Sequence, residues 1–220
     1  MLGDAIHAVG WAFLPLLALP VLYLAFPNRA LQRFLHALIR TIDAVSHGVG
    51  EVAKWALPLL VLSVAASVFA LSIFGTMTVK WLESAFYFQA IIILLGAAAT
   101  LLAGQHVRVD VLYSKMSCIA RARVDLLCFY LLLVPVCMLI VWNSQTFVGF
   151  SWQTFEGSSE SSGIRGVFLL KTLIPTFAVM MIAQGLSISL RAAMVLRGEA
   201  VPERPAGVPP LFEPRHEEGL

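Results

Sequence analysis

Five apolar stretches free of Asp, Glu, Lys and Arg, separated by short charged connections, constrain this chain more than any other feature. They run Ala5–Asn28, Trp55–Val79, Ser84–Val107, Leu126–Phe155 and Thr172–Leu190. The hydrocarbon layer of a bilayer is about 30 Å thick, and a helix rising about 1.5 Å per residue crosses it in about 20 residues. A soluble domain distributes ionisable side chains over every helix. Here they collect between the stretches, so the solvent for most of the chain is lipid.

Composition agrees, at 59% hydrophobic and only 13% charged residues, far from the balance of a soluble domain. The 220 residues leave no room for a large soluble domain beside five spans. A membrane β-barrel needs ten-residue segments of alternating polarity, and none is present. Runs such as Ala90–Ala99 must satisfy their own backbone in lipid, which requires helices. The expected fold is therefore an all-α integral membrane bundle. A net charge of +2 arrives with no nucleic-acid motif, and no nucleic-acid partner is expected. The three cysteines have no metal-site spacing and no nearby histidine; Cys128 and Cys137 read as buried small hydrophobes. No metal or other cofactor is expected.

The first stretch lacks a basic leader and a clean small-residue cleavage site, so it reads as a retained span kinked at Pro15 and Pro20. Between Pro27 and Gly50 the pattern changes. Leu31, Phe34, Leu35, Leu38, Ile39, Ile42 and Val45 recur at helical steps, with Arg29, Arg33, Arg40 and Asp43 assigned to the opposite face. That is an amphipathic helix, either lying in the headgroup plane or serving as a surface connector. The resulting organisation is an N-terminal span over 1–28, an amphipathic helix over 29–50, a four-span bundle over 51–198 and a disordered tail over 199–220. Lys80-Trp-Leu-Glu83 reads as a connection, with Trp81 in the interfacial belt. Glu156–Gly163 reads as a turn-rich loop. No internal repeat is evident, unlike the two-halves design of many transporters.

Orientation follows from the basic residues in alternate connections. Segments 27–54, 104–125 and 191–220 carry twelve Lys and Arg, whereas the opposite side carries only Lys80, Arg165 and Lys171. The N-terminus is expected outside and the C-terminus in the cytoplasm. A catalyst or ion pathway in lipid shows itself by ionisable groups in the middle of spans, and no Asp, Glu, Lys, Arg or His stands in the middle of these stretches. Their polar groups, among them Ser63, Ser67, Gln89, Thr100, Asn143, Gln145, Gln184 and Ser187, suit hydrogen bonding between helices. The small residues Gly96–Ala99 and Ala65-Ala66 suit close helix approach. His106, Arg108 and Asp110 alternate at one boundary without catalytic spacing. Glu83 and Lys171 stand at the other, where they can pair or face water.

The segment Leu95-Gly-Ala-Ala-Ala-Thr-Leu-Leu-Ala-Gly-Gln-His-Val-Arg-Val-Asp-Val-Leu-Tyr113, followed by Ser117 and Arg121-Ala-Arg-Val-Asp-Leu-Leu127, resembles DctQ-like small membrane subunits of TRAP transporters. Trp152, Glu156, Ser158-Ser-Glu-Ser161, Leu170-Lys-Thr-Leu-Ile-Pro175 and Gln184-Gly185 keep the family order, and the likeness covers roughly Arg33–Gly198. The resemblance implies a non-catalytic partner of a large multi-span subunit and an extracytoplasmic substrate-binding protein. It further implies carboxylate uptake driven by a sodium gradient in the bacterial inner membrane, with this chain enlarging the fixed scaffold of an elevator. Two features depart from the family pattern: the additional N-terminal span, and Ser84 where relatives often place a second acid after Glu83. Candidate partner contacts are Glu83, Arg108, Asp110 and Lys171. Candidate lipid-headgroup contacts are Arg33, Arg40 and Trp81. A membrane enzyme needs clustered His, Asp and Glu and a channel needs polar stripes; neither is visible. A small membrane assembly protein fits the composition but leaves the signature block without a reason.

Overall fold

The computed structural model describes residues 15–26, 28–76, 79–105 and 116–208, and every regular element among them is helical. The elements are α1 (Pro15–Ala25), α2 (Arg29–Ala53), α3 (Ala56–Phe74), α4 (Val79–Leu102), α5 (Cys118–Gln153) and α6 (Val167–Leu196). Helices α2 and α3 follow one another through a turn at Lys54-Trp55. Four helical stretches, Arg29–Phe74, Val79–Leu102, Cys118–Gln153 and Val167–Leu196, are long and apolar enough to cross a membrane. The described part of the first apolar stretch is the short helix α1; residues 1–14 lie outside the described residues, and with them most of the additional span expected there.

Local signals explain the boundaries. Asn28 caps α2 by accepting from the Ala30 amide, and Ser117 caps α5 by accepting from Ala120. Gly75 ends α3 at φ 63°, the left-handed conformation that glycine adopts without Cβ strain. Two helices carry a π-helical turn, Ile91–Leu95 in α4 and Phe129–Leu133 in α5. Pro175 stands inside α6, which continues through it. The Thr172 and Thr176 hydroxyls, on either side of Pro175 in sequence, donate to the Phe168 and Thr172 carbonyls of the preceding turns.

The arrangement is a central helix with neighbours around it. In the most apolar stretch of α6, 61% of residues are buried, against 11–17% for the other three candidate spans. The core runs along α6 through Ala178, Met181, Ile182, Leu186, Leu190, Ala193 and Met194, joined by Leu35 and Ile39 of α2, Phe129, Cys137 and Val141 of α5, and Leu17 and Tyr23 of α1. Close approach depends on small residues. A Cβ on Gly50 would collide with the side chain of Ala99, where α2 crosses α4, and one on Gly185 would meet Leu133 and Phe129 at the π turn of α5.

Four expectations are corrected. Val79–Glu83 is the first turn of α4 rather than a connection, so that helix begins five residues before Ser84. The helix of the Leu126–Phe155 stretch begins earlier, at Cys118, and runs as one element to Gln153. Cys128 is exposed on the outside of α5, whereas Cys137 is buried. The beginning of the tail is packed, with Pro202 buried and Val201 against the core.

Candidate functional site

Two polar clusters stand at opposite ends of α6. The first joins α2 to the C-terminal half of α6. Asp43 follows Leu35 and Ile39 by helical steps of four, and with Ser46 it continues the buried face of α2. It is 1% exposed. Its Oδ2 accepts from Arg191 Nη2 at 2.6 Å. Its Oδ1 accepts from the Ser187 hydroxyl at 2.7 Å and the Gln184 amide at 3.1 Å. Arg191 Nη1 also donates to Ser187 Oγ at 2.7 Å, and Nη2 reaches the Pro202 carbonyl at 3.5 Å. Gln184, Ser187 and Arg191 recur at three- and four-residue steps, so α6 presents one polar row to a single carboxylate.

This pair corrects two expectations: Asp43 belongs to the buried face of α2, and α6 carries an ionised residue, Arg191, inside its helical length. A charge enclosed among helices requires a partner, because burial alone costs several kcal/mol per ion. Asp43 and Arg191 neutralise each other. The signal lies in the sequence, since Asp43 falls in phase with Leu35 and Ile39, but periodicity does not tell which face a partner will cover.

Beside this cluster, α1 is fastened to the end of α6. Arg197 Nη1 donates to the Tyr23 and Leu24 carbonyls at 3.0 and 3.2 Å, satisfying backbone acceptors that the end of α1 leaves unpaired. The Tyr23 hydroxyl donates to Glu199, and Arg197 Nε donates to the other Glu199 oxygen at 3.0 Å. Tyr130 of α5 donates to the Leu17 carbonyl at 2.5 Å.

The second cluster organises residues 154–166 at the far end. Glu83, in the first turns of α4, accepts from the Ser158 hydroxyl and from the Ile164 amide at 2.5 Å. Ser158 N donates to the Ile164 carbonyl at 3.0 Å, closing the loop on itself. Gly163 sits where a Cβ would strike both Ser158 and the Glu83 carboxylate. Lys171 pairs with Glu156 and lies 4.1 Å from the centre of the Phe147 ring. The Lys171 ammonium holds the Glu156 carboxyl below its usual range. Trp152 Nε1 donates to Thr172 Oγ1 at 2.8 Å, and its ring meets Phe168 edge-on at 4.8 Å.

Glu83 and Lys171 therefore belong to one cluster without pairing with each other. Trp81 is 49% exposed beside them, and Arg33 and Arg40 are exposed on α2. Arg108 and Asp110 lie outside the described residues. Of the mild polar groups, Ser63 accepts from Ser84 at 3.0 Å between α3 and α4, and Gln184 and Ser187 bond across to α2. Among the described residues no group of three His, Cys, Asp or Glu is placed to hold a metal ion.

Four helical stretches long and apolar enough to span a bilayer, three of them packed around the buried fourth, define a multi-pass, all-helical membrane protein. The family model for the DctQ component of tripartite ATP-independent periplasmic transporters matches residues 60–194. The chain belongs to that family and is a small membrane subunit of such a transporter. No match was found among curated proteins or among solved structures.

Proposed function

We propose that this chain is the fixed, non-catalytic small subunit of a sodium-coupled, binding-protein-dependent TRAP transporter for carboxylate solutes. It stands in the bacterial inner membrane with its N-terminus outside and its C-terminus in the cytoplasm. Its partners are a large membrane subunit, an extracytoplasmic substrate-binding protein reached through the complex, and membrane lipids. The observation that carries the reading is the neutralised state of the interior. Among the described residues the only buried charges, Asp43 and Arg191, are committed to each other and to Ser187 and Gln184. A subunit that bound sodium or a carboxylate in its own spans would hold an ionisable group open to the ligand, uncommitted to a charge partner.

A scaffold must hold its shape while another body moves against it. The two clusters support that role, because each ties separate elements to α6 or to its preceding loop. Arg33, Arg40 and Trp81 are suited to headgroups at the two boundaries. Glu83 and Lys171, beyond their contacts within the chain, remain candidates for contact with the partner on one side, as do Arg108 and Asp110 on the other. The test is reconstitution into liposomes under a sodium gradient. The chain alone should give no uptake, and uptake should arise only when the large subunit and the binding protein are added. Saturable, sodium-dependent uptake by the chain alone would overturn the reading.

A further inference from the structure

Gln89 stands near the middle of α4, exposed in what would be the hydrocarbon layer. Its amide carries two donors and an acceptor, and it makes no hydrogen bond among the described residues. It opens onto a groove of about 710 Å³ between α3 and α4, lined by Leu57, Val61, Val64, Ala65 and Ile92. Only Ala56, Ser63 and Ser67 of α3 are buried; Val61, Leu62, Val64, Val68 and Phe69 are all exposed. The π turn of α4 begins two residues after Gln89.

Lipid can cover Leu and Val here without loss, but an acyl chain offers nothing to an amide, and the unmet groups are costly at that depth. A second groove, between α5 and α6, is about 420 Å³ and holds Asn143. There the amide already donates to the Leu139 carbonyl at 3.0 Å. The two grooves thus differ in the one property lipid cannot supply. The geometry points to the α3–α4 groove as the seat of a transmembrane helix of the large transporter subunit, bearing a hydrogen-bonding side chain opposite Gln89. Ala65 on its wall allows close approach. A second copy of this chain is a poorer occupant, since it would bring a concave groove against a concave groove. The inference rests on the functional reading above and names the surface by which the two membrane subunits join.

The test co-expresses the full chain with its large subunit and measures co-purification from membranes. Gln89→Leu should lower recovery of the large subunit about threefold, the mean for a hydrogen bond between membrane helices. Ala65→Trp, which fills the groove, should lower it further, while Leu139→Trp in the second groove should leave it unchanged. Unchanged recovery with both groove variants would overturn the inference while leaving the functional reading intact. In an otherwise Cys-free pair with cysteines placed along the large subunit's spans, a cysteine at Val61 should crosslink to the large subunit and one at Leu139 should not. This decides the matter even if Ala65→Trp fails to fold. Crosslinking from Leu139 only, or from Val61 to a second copy only, overturns the groove assignment. Failure of the wild-type chains to co-purify at all would sink both the groove and the functional reading.

Discussion

Asp43 shows how much one residue can decide in a helical membrane protein. Its carboxylate satisfies three donors from one face of α6, and Arg191 meets no other carboxylate among the described residues. Removing one partner leaves the other charged in a dry interface, whereas replacing both with apolar groups of similar volume removes the cost altogether. Asp43→Ala should therefore destabilise the protein by about 3–5 kcal/mol, as breaking a buried pair does, and Asp43→Leu combined with Arg191→Met should recover most of it. Unfolding in mixed micelles, run as a double-mutant cycle, measures the coupling. Equal loss in the single and double variants would contradict the account. The residue itself was legible in the sequence; its role was not, because helical phase names the residues of a face but not the helix that will cover it.

At the scale of elements, the loop between α5 and α6 is held by Glu83 on one side and by the Glu156–Lys171 pair on the other. The Glu156 carboxyl is held below its ordinary value of 4.5, chiefly by its hydrogen bond with Lys171. A carboxyl whose value is depressed in the folded state contributes stability above its unfolded value and loses it as pH falls through the folded one. Docking of the loop should be constant from neutral pH down to about pH 5, then weaken below the ordinary glutamate range. Trp152 fluorescence reports it, since that ring rests on Phe168 and bonds Thr172. In Lys171→Met the transition should move to higher pH. An unchanged midpoint would show that the pair does not hold the loop. The loop was visible in the sequence as a run of Gly and Ser, but its two anchors were not, because Glu83 is distant in sequence and its acceptors are met by a hydroxyl and a backbone amide.

For the whole molecule, the orientation proposed from the basic residues of alternate connections has α2, the start of α5 and the end of α6 on the cytoplasmic side. Single cysteines in a Cys-free background test this. A probe at Ser159, on the exposed loop, should be labelled by an impermeant maleimide from outside in intact cells, and one at Arg40 only after permeabilisation. Labelling of Ser159 from the cytoplasmic side alone would reverse the orientation. The same charge pattern is compatible with α2 on the surface or packed inward; the structure packs its Leu35–Ile39–Asp43 face on α6.

The sequence by itself determined that this chain is an all-helical membrane protein, where four of its long apolar helices lie, and which family it resembles. Those conclusions need only local quantities: the length of charge-free runs, the backbone's demand for hydrogen bonds in lipid, and residue order in a signature. The tertiary structure decided which helix is enclosed, which ionisable residues are paired and which polar side chain is left open. In lipid an apolar surface is equally at ease against a tail or against another helix, so hydrophobicity cannot tell an inner face from an outer one. Steric fit and polar pairing between distant segments make that choice: Gly50 admits Ala99, Asp43 takes Arg191, and Gln89 has no hydrogen-bond partner among the described residues.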